Sequence, residues 1–94
     1  MFEWDEKKNR KVQKERGVSF YDVIDAVENG RVLFFGKDKR QDKYPGQYLL
    51  VVEINNYPWV VPCEFRRDKL RLITIYPSRK YKYLLRGSNE ESKS

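Results

Sequence analysis

The sequence contains no histidine and a single cysteine, Cys63. The absence of histidine excludes a histidine-based catalytic triad, a histidine-ligated metal site and the most common general base. One cysteine cannot form an internal disulfide, and without histidine it cannot supply the ligands of a structural zinc site. We therefore expect no metal and no other cofactor, and any catalysis must use other side chains.

Long apolar runs are also missing. No apolar stretch approaches the roughly 18 residues that a membrane span needs, and no signal-peptide pattern is present. The lone cysteine lies in an apolar run and is predicted to be a core residue. These absences predict a cytoplasmic protein with no membrane partner.

Positive charge, by contrast, is abundant. Lys and Arg number 20 against 14 Asp and Glu, which gives a net charge of +6. Such an excess suits a polyanion such as nucleic acid, an acidic protein or a membrane surface. The alternative is a solvated basic surface without a specific partner. The 94 residues, 15% of them aromatic, suffice for one domain with one compact core.

Two helices are predicted near the start. The first begins after an N-cap at Asp5 and ends at Gly17, and only Val12 is apolar inside it. The second begins after Ser19, where Asp22 completes a capping box. Apolar residues then recur at helical spacing, so this helix is predicted to pack in the core through Phe20, Val23, Ile24 and Val27.

Four strands follow, predicted at 31–35, 47–54, 57–65 and 70–76. The loop 36–46 is longer than a typical hairpin connection, which makes it a candidate functional segment. Pro58 and Pro62 share a parity, so both missing N–H donors point toward the same neighbouring strand. We therefore expect a bulge or a poorly paired side there.

The C-terminal part is predicted to close the fold. A short helix is expected over 78–86, ended by Gly87, and the polar residues 88–94 are expected to be a disordered tail. Residues 1–87 are thus predicted to be a single α+β domain. It has two N-terminal helices, a four-stranded antiparallel sheet and a short C-terminal helix, with the helices covering one face.

Several short motifs resemble a known family. Phe2-Glu3-Trp4-Asp5, the basic first helix and Gly17-Val18-Ser19-Phe20 are similar to the recurrent N-terminal pattern of the BrnT family, the toxins of bacterial type II toxin–antitoxin pairs. The family has a histidine before the glycine, where this chain has Arg16. Near the C-terminus, the run 73–81 resembles the family's last strand, basic residues and tyrosine, and Tyr76-Pro77 departs from that pattern.

The resemblance implies a RelE/ParE-like fold, in which a small antiparallel sheet packs on helices. It also implies a ribonuclease toxin that inhibits translation and growth by acting on RNA, including ribosome-associated mRNA. A cognate antitoxin, usually a ribbon-helix-helix protein, would neutralise it. Operator DNA would be contacted only through the toxin–antitoxin complex.

RNA cleavage by internal transfer must activate the 2′-OH, neutralise the charge of the pentacoordinate phosphate and protonate the 5′-oxygen. Arg is suited to the second task, and Lys or Tyr to the proton transfers where their pKa is lowered. We predict that Arg79 clamps the phosphate, that Lys80 and Tyr81 act in proton transfer or base stacking, and that Arg71 is a further catalytic residue.

Each of these assignments has a structural alternative. Arg79 would then be a surface residue, Tyr81 a core residue of the closing helix, and Arg71 a cross-strand partner of Glu53 or Glu64. Further cationic residues are predicted to bind RNA: Lys7, Lys8, Lys11, Arg66, Arg67 and Lys82. The lysines of the first helix could instead attract an acidic antitoxin tail, and the arginine pair could simply be solvated.

Two other functions remain open. One is a non-catalytic binding module, either an inactive toxin homologue or a ParE-like inhibitor of a protein target. The other is an accessory protein whose basic surface binds DNA. Binding without turnover would identify the first, and a preference for duplex DNA over single-stranded RNA would identify the second.

Overall fold

A computed structural model describes residues 1–85 of the chain. Helix α1 spans Glu6–Arg16 and helix α2 spans Phe20–Glu28. Both predicted start signals are confirmed. The Asp5 carboxylate accepts a hydrogen bond from the Lys7 N–H at 2.9 Å, and Ser19 and Asp22 form the capping box.

The junction between the helices contains a contact that local patterns did not predict. Gly17 ends α1 with a φ of 77°, a left-handed conformation that glycine adopts without strain. The buried side chain of Asn9 then accepts a hydrogen bond from the Phe20 N–H at 2.7 Å. Because an N–H in the first turn of a helix has no intrahelical partner, Asn9 satisfies a donor that burial would leave unpaired.

The strands form one mixed sheet. They are β1 (Phe2–Glu3), β2 (Val32–Lys37), β3 (Gln47–Ile54), β4 (Tyr57–Arg66), β5 (Lys69–Leu72) and β6 (Tyr76–Pro77). Strands β2 to β5 form the predicted antiparallel meander, but β1 pairs with β5 in parallel, so the prediction of four antiparallel strands is wrong. Two residues are too few for alternation to be recognised. Strand β1 joins the sheet through a hydrogen bond between distant parts of the chain, from the Leu70 N–H to the Met1 carbonyl at 2.8 Å.

One side of β4 is interrupted, as its prolines predicted. Strand β5 pairs with one end of β4 and β6 with the other, and residues 73–75 lie outside both strands. On this side the carbonyl of Pro62 accepts from the Ile73 N–H and that of Pro58 from the Ser78 N–H. Neither proline can donate in return. The predicted last strand is therefore two short strands.

Helices α1 and α2 pack on one face of the sheet, called here the helix face. The helices contribute Val12, Phe20, Val23 and Ala26, and the sheet contributes Leu50, Val52, Val61, Cys63, Leu70 and Leu72. The prediction that Cys63 is a core residue is confirmed. Burial raises the pKa of its thiol to about 12, so the thiol stays protonated and unreactive.

The other side of the sheet, called here the opposite face, is covered by the C-terminal segment. Val51 and Val60 are buried there, because neighbouring side chains of a strand alternate between the two faces. A 3₁₀ helix, Arg79–Leu84, contacts β4 on this side, and its Tyr81 ring stacks on Phe34 with ring centroids 6.4 Å apart.

This placement corrects the expected C-terminal helix. The segment predicted as a helix over 78–86 is a shorter 3₁₀ helix, and it lies across the sheet from α1 and α2 rather than beside them. Gly87 and the predicted tail at 88–94 lie outside the described residues. Within residues 1–85, no helix has the length and apolar character needed to cross a membrane.

Candidate nucleic-acid interface

The loop between β2 and β3 is organised around a buried carboxylate. Asp38 is 2% exposed and its carboxylate accepts four hydrogen bonds. Three come from Arg40, from its backbone N–H (2.9 Å), Nε (3.1 Å) and Nη2 (3.0 Å), and the fourth comes from Gln47 Nε2 (2.8 Å). The hydrogen bonds from the Arg40 side chain hold the pKa of Asp38 well below its ordinary value, against the opposing effect of burial. Asp38 is therefore ionised at neutral pH.

The rest of the loop is held by hydrogen bonds between its own residues. Gln41 Nε2 donates to the Gln47 carbonyl at 3.0 Å, and Gln41 Oε1 accepts from the Gly46 N–H at 3.0 Å. The Tyr44 N–H donates to the Arg40 carbonyl at 2.7 Å. These bonds give an exposed loop a defined shape, which fixes the position of Arg40.

Arg40 presents a partly exposed guanidinium on the opposite face. Its side chain is 52% exposed, and one edge of the guanidinium is occupied by Asp38. The guanidinium carbon lies 4.7 Å from the centroid of the Tyr44 ring, within cation–π range. The bidentate pair and the ring together restrict the guanidinium to one orientation.

Tyr76 lies beside Arg40 and opposite Val60 of β4. Burial raises the pKa of the Tyr76 phenol above its ordinary value, and the nearby Arg40 acts in the other direction. The phenol therefore stays protonated at neutral pH. It can donate a hydrogen bond or a proton to an anion, but it is poorly suited to accept a proton as a general base.

Two adjoining cavities lie on the opposite face. The larger, about 510 Å³, is lined by Phe34, Lys37, Asp38, Lys39, Arg40, Tyr76, Ser78, Lys80, Tyr81 and Tyr83. The smaller, about 390 Å³, is lined by Arg40, Tyr44, Gln47, Pro62, Ile73, Thr74 and Tyr76. Arg40 and Tyr76 line both, so they stand where the two cavities meet. Cations and aromatic rings together offer groups that bind phosphates and stack on bases.

The structure brings two of the four predicted catalytic residues into the larger cavity. Lys80 and Tyr81 line it, and the Lys80 ammonium lies 5.6 Å from the Tyr81 ring centroid. Arg79, the predicted phosphate clamp, is exposed and does not line the cavity.

Arg71, the fourth predicted catalytic residue, lies elsewhere, on β5. It pairs with Glu3 of β1 at 3.3 Å and lies opposite Glu64 of β4. The structural alternative predicted an ion pair with a carboxylate on a neighbouring strand, Glu53 or Glu64. The carboxylate that Arg71 pairs with is instead Glu3, on a strand that was not predicted.

The residues predicted to bind RNA fall in several places. Arg66 and Arg67 border a separate cavity of about 570 Å³ together with Arg71. Lys82 lies 6.0 Å from the Tyr57 ring centroid.

The three lysines of α1 that were predicted to bind RNA lie across the sheet from the larger cavity. Lys7 and Lys11 are exposed and Lys8 is half-buried, on a helix that packs on the helix face through Val12. A ligand confined to the larger cavity therefore does not contact these lysines.

Sequence reasoning missed the best-positioned pair, Arg40 and Tyr76. The length of the loop 36–46 predicted a functional segment. It did not indicate which cation of the loop is held in place. Tyr76 was assigned only to a strand. Among residues 1–85, no cluster of three Cys, Asp or Glu side chains is arranged to hold a metal ion.

A family model described as "Domain of unknown function (DUF4258)" matches residues 10–77. The match includes Asp38, Arg40 and Tyr76, and it ends before Lys80 and Tyr81. No curated protein and no solved structure matches the chain.

Proposed function

Because the chain belongs to the DUF4258 family, whose description assigns no activity, we propose a function from its own residues: a ribonuclease toxin that cleaves RNA without a metal ion. The observation that carries the proposal is the meeting of Arg40, Tyr76 and Lys80 at one cavity on the opposite face. The BrnT-like motifs of the sequence support the toxin assignment.

The three side chains match the needs of internal transfer at a phosphodiester. In that reaction the 2′-oxygen bonds to phosphorus, the bond from phosphorus to the 5′-oxygen breaks, and a 2′,3′-cyclic phosphate is left. Arg40 would bind the phosphate oxygens and stabilise the charge that develops on them. The protonated phenol of Tyr76 would donate its proton to the leaving 5′-oxygen. The 2′-OH proton would pass to solvent water, and Lys80 would bind a second oxygen of the same phosphate.

The aromatic residues around these groups supply a second requirement, which is to hold single-stranded RNA. Tyr44 and Tyr81 lie on either side of the Arg40–Tyr76 junction, one in each cavity. Stacking of a base on an aromatic ring contributes about 1–3 kcal/mol and tolerates any base. Bases flanking the cleaved phosphate would stack on these two rings.

A toxin of this kind would need a neutralising partner. We infer from the BrnT-like motifs an antitoxin, most simply a small ribbon-helix-helix protein encoded next to this chain. Operator DNA would be bound by the complex rather than by this chain alone. Identifying the neighbouring reading frame tests this part directly.

The test of activity is cleavage of a labelled RNA in the presence of EDTA. We expect fragments with 2′,3′-cyclic phosphate ends, and growth arrest when the chain is expressed. Arg40→Ala should reduce the cleavage rate by about a hundredfold or more, as expected when a group that stabilises transition-state charge is removed. Tyr76→Phe, which removes only the hydroxyl, should reduce it with little loss of RNA binding.

Arg10→Ala is the matched control, because it removes one positive charge from α1, on the other side of the sheet. It should leave cleavage close to wild type. If the wild-type chain neither cleaves RNA nor arrests growth, the ribonuclease assignment is wrong.

A non-catalytic RNA-binding role is the second candidate. It is favoured because the phenol of Tyr76, whose pKa burial raises, does not serve as the base that would activate the 2′-OH. In this case RNA would bind without turnover. Arg40→Ala would then lower the affinity and reduce the dependence of log Kd on log salt by about 0.7, the value for one phosphate contact to a single strand.

A further inference from the structure

Strand β2 forms one edge of the sheet. Among the described residues it pairs only with β3, and its apolar side chains remain open to solvent: Val32 is 41% exposed, Phe34 42% and Phe35 43%. Proteins usually protect an edge strand with charged side chains, a proline, a β-bulge or a covering element. Strand β2 has an irregularity of this kind only near its start, where the register with β3 shifts between Val32 and Phe34. Here the only ionised residue within the strand is Lys37 at its end. An apolar, uncovered edge of this kind is suited to pairing with another strand.

The ladder determines which backbone groups are available. The Asp38 N–H donates to the Gln47 carbonyl of β3 at 2.9 Å. In an antiparallel ladder, alternate residues direct their N–H and C=O groups to the same side. The backbone N–H and C=O groups of Gly36 and Phe34 therefore point toward β3, as the N–H of Asp38 does. The backbone groups of Phe35 and Lys37 point away from the sheet.

We propose that β2 pairs with β2 of a second copy of this chain, antiparallel and centred on Phe35. This register places Phe35 opposite Phe35 and uses the outward backbone groups of Phe35 and Lys37 in both copies. It places Lys37 opposite Leu33, so that the two lysines are not in contact. The interface is then isologous, as in most two-fold dimers.

The side chains on the opposite face are complementary in the same register. Phe34 of each copy falls opposite Gly36 of the other. Gly36 has no side chain, and its own Phe34 already leans over it: a Cβ at this position would lie 2.8 Å from Phe34 Cζ. The two phenyl rings can therefore lie side by side above the two glycines. On the helix face, Phe35 extends an aromatic cluster with Tyr48 and Phe65, whose rings lie 5.4 and 6.4 Å from it.

The apolar character of β2 favours a second copy over an acidic peptide as the occupant. Strand β2 has only one cation in six residues, so it offers few charges for an acidic segment to pair with. An apolar strand, such as β2 of a second copy, can contact the apolar side chains along its whole length. The net charge of +6 on each copy opposes association. Because salt screens that repulsion, the dimer should become tighter as salt rises.

The dimer would also change the surface that carries the candidate site. A two-fold axis between antiparallel strands stands perpendicular to the sheet, so the opposite faces of both copies lie on one side. The two cavities that contain Phe34 would then flank the axis. This inference concerns the edge strand and does not depend on ribonuclease activity.

Sedimentation equilibrium of the full chain tests the proposal. We expect a reversible change from the mass of one chain to that of two between about 1 and about 500 µM, as suits a small interface. Phe35→Glu and Phe35→Lys should each be monomeric, because two like charges would meet at the axis. An equimolar mixture of these two variants should regain a dimer. Circular dichroism of each variant confirms that it folds.

The control is Tyr21→Glu, which introduces a charge at another exposed aromatic residue, on α2. It should dimerise like the wild type. If the Phe35 variants do not fold, Lys37→Pro takes their place, because it removes an outward N–H without removing a bond to β3, and Lys37→Gln is its control. A wild type that stays monomeric throughout, or a mixture of Phe35→Glu and Phe35→Lys that does not associate, overturns the proposal.

Discussion

On the helix face, the sheet buries aliphatic side chains against α1 and α2, whereas the opposite face holds an ionised Asp38, Arg40 and a protonated Tyr76 at two open cavities. The first arrangement is stabilised mainly by burial, which is non-directional and scales with apolar area. The second depends on a few hydrogen bonds of defined geometry. The same strands support both, because their side chains alternate between the faces.

The comparison teaches that stability and candidate function are separable in this small domain. A substitution on the helix face should affect the free energy of unfolding first, and function only through the loss of folded protein. A substitution on the opposite face should affect ligand binding more than stability. The experiments below test that separation.

The largest effect is expected from Phe20→Ala on the helix face. Phe20 is fully buried and its ring lies 5.6 Å from that of Trp4. Truncation should lower the free energy of unfolding by about 3–5 kcal/mol, which approaches the whole stability of a domain of this size. Urea denaturation measures the loss. Tyr21→Ala, an exposed neighbour on the same helix, should cost much less, and equal losses would contradict the assignment of the core.

A smaller effect on stability is expected from Asp38→Asn on the opposite face. The new amide group would place a donor where Arg40 and Gln47 already donate. We expect a loss of about 2 kcal/mol, a modest value because Arg40 is half exposed and solvent screens its share. RNA affinity should fall more than stability suggests, since Arg40 loses its fixed orientation. Asp42→Asn, an exposed carboxylate of the same loop, is the matched control.

The pH dependence of stability tests the same carboxylate. The pKa of Asp38 is lowered in the folded state from its ordinary value of 3.8, chiefly by Arg40. Its contribution is therefore fully present above about pH 5 and is lost as pH falls, because the unfolded chain takes up the proton first. The difference in unfolding free energy between wild type and Asp38→Asn should shrink below about pH 4. A difference that stays constant down to pH 2 would contradict the assignment.

The features that could be predicted from sequence are the local ones. The cap at Asp5, the capping box at Ser19 and Asp22, and the apolar stripe of α2 each depend on residues within one or two turns. The interrupted side of β4 was also predictable, because a missing N–H is a property of the proline itself.

The features that could not be predicted depend on distant segments meeting. Strand β1 is two residues long and is defined by its pairing with β5. Arg40 and Tyr76 come together only because the Tyr76 side chain of β6 and the β2–β3 loop lie on the same face of the sheet. The length of the loop and the cations and aromatic residues of the C-terminal segment each predicted a functional segment. Neither feature predicted that the two segments are in contact.

The smallest expected effect separates two adjacent cations of the C-terminal segment. Both residues are exposed, but Lys80 lines the larger cavity and Arg79 does not. If RNA binds in that cavity, Lys80→Ala should reduce the dependence of log Kd on log salt by about 0.7, and Arg79→Ala should leave that slope nearly unchanged. Both substitutions remove one charge from the same 3₁₀ helix, so a difference between them reports position rather than net charge. Fluorescence anisotropy with a labelled single-stranded RNA at several salt concentrations measures both slopes. Equal slopes for the two variants would place the RNA outside the cavity, and a larger loss for Arg79→Ala would restore Arg79 as the phosphate clamp that the sequence predicted.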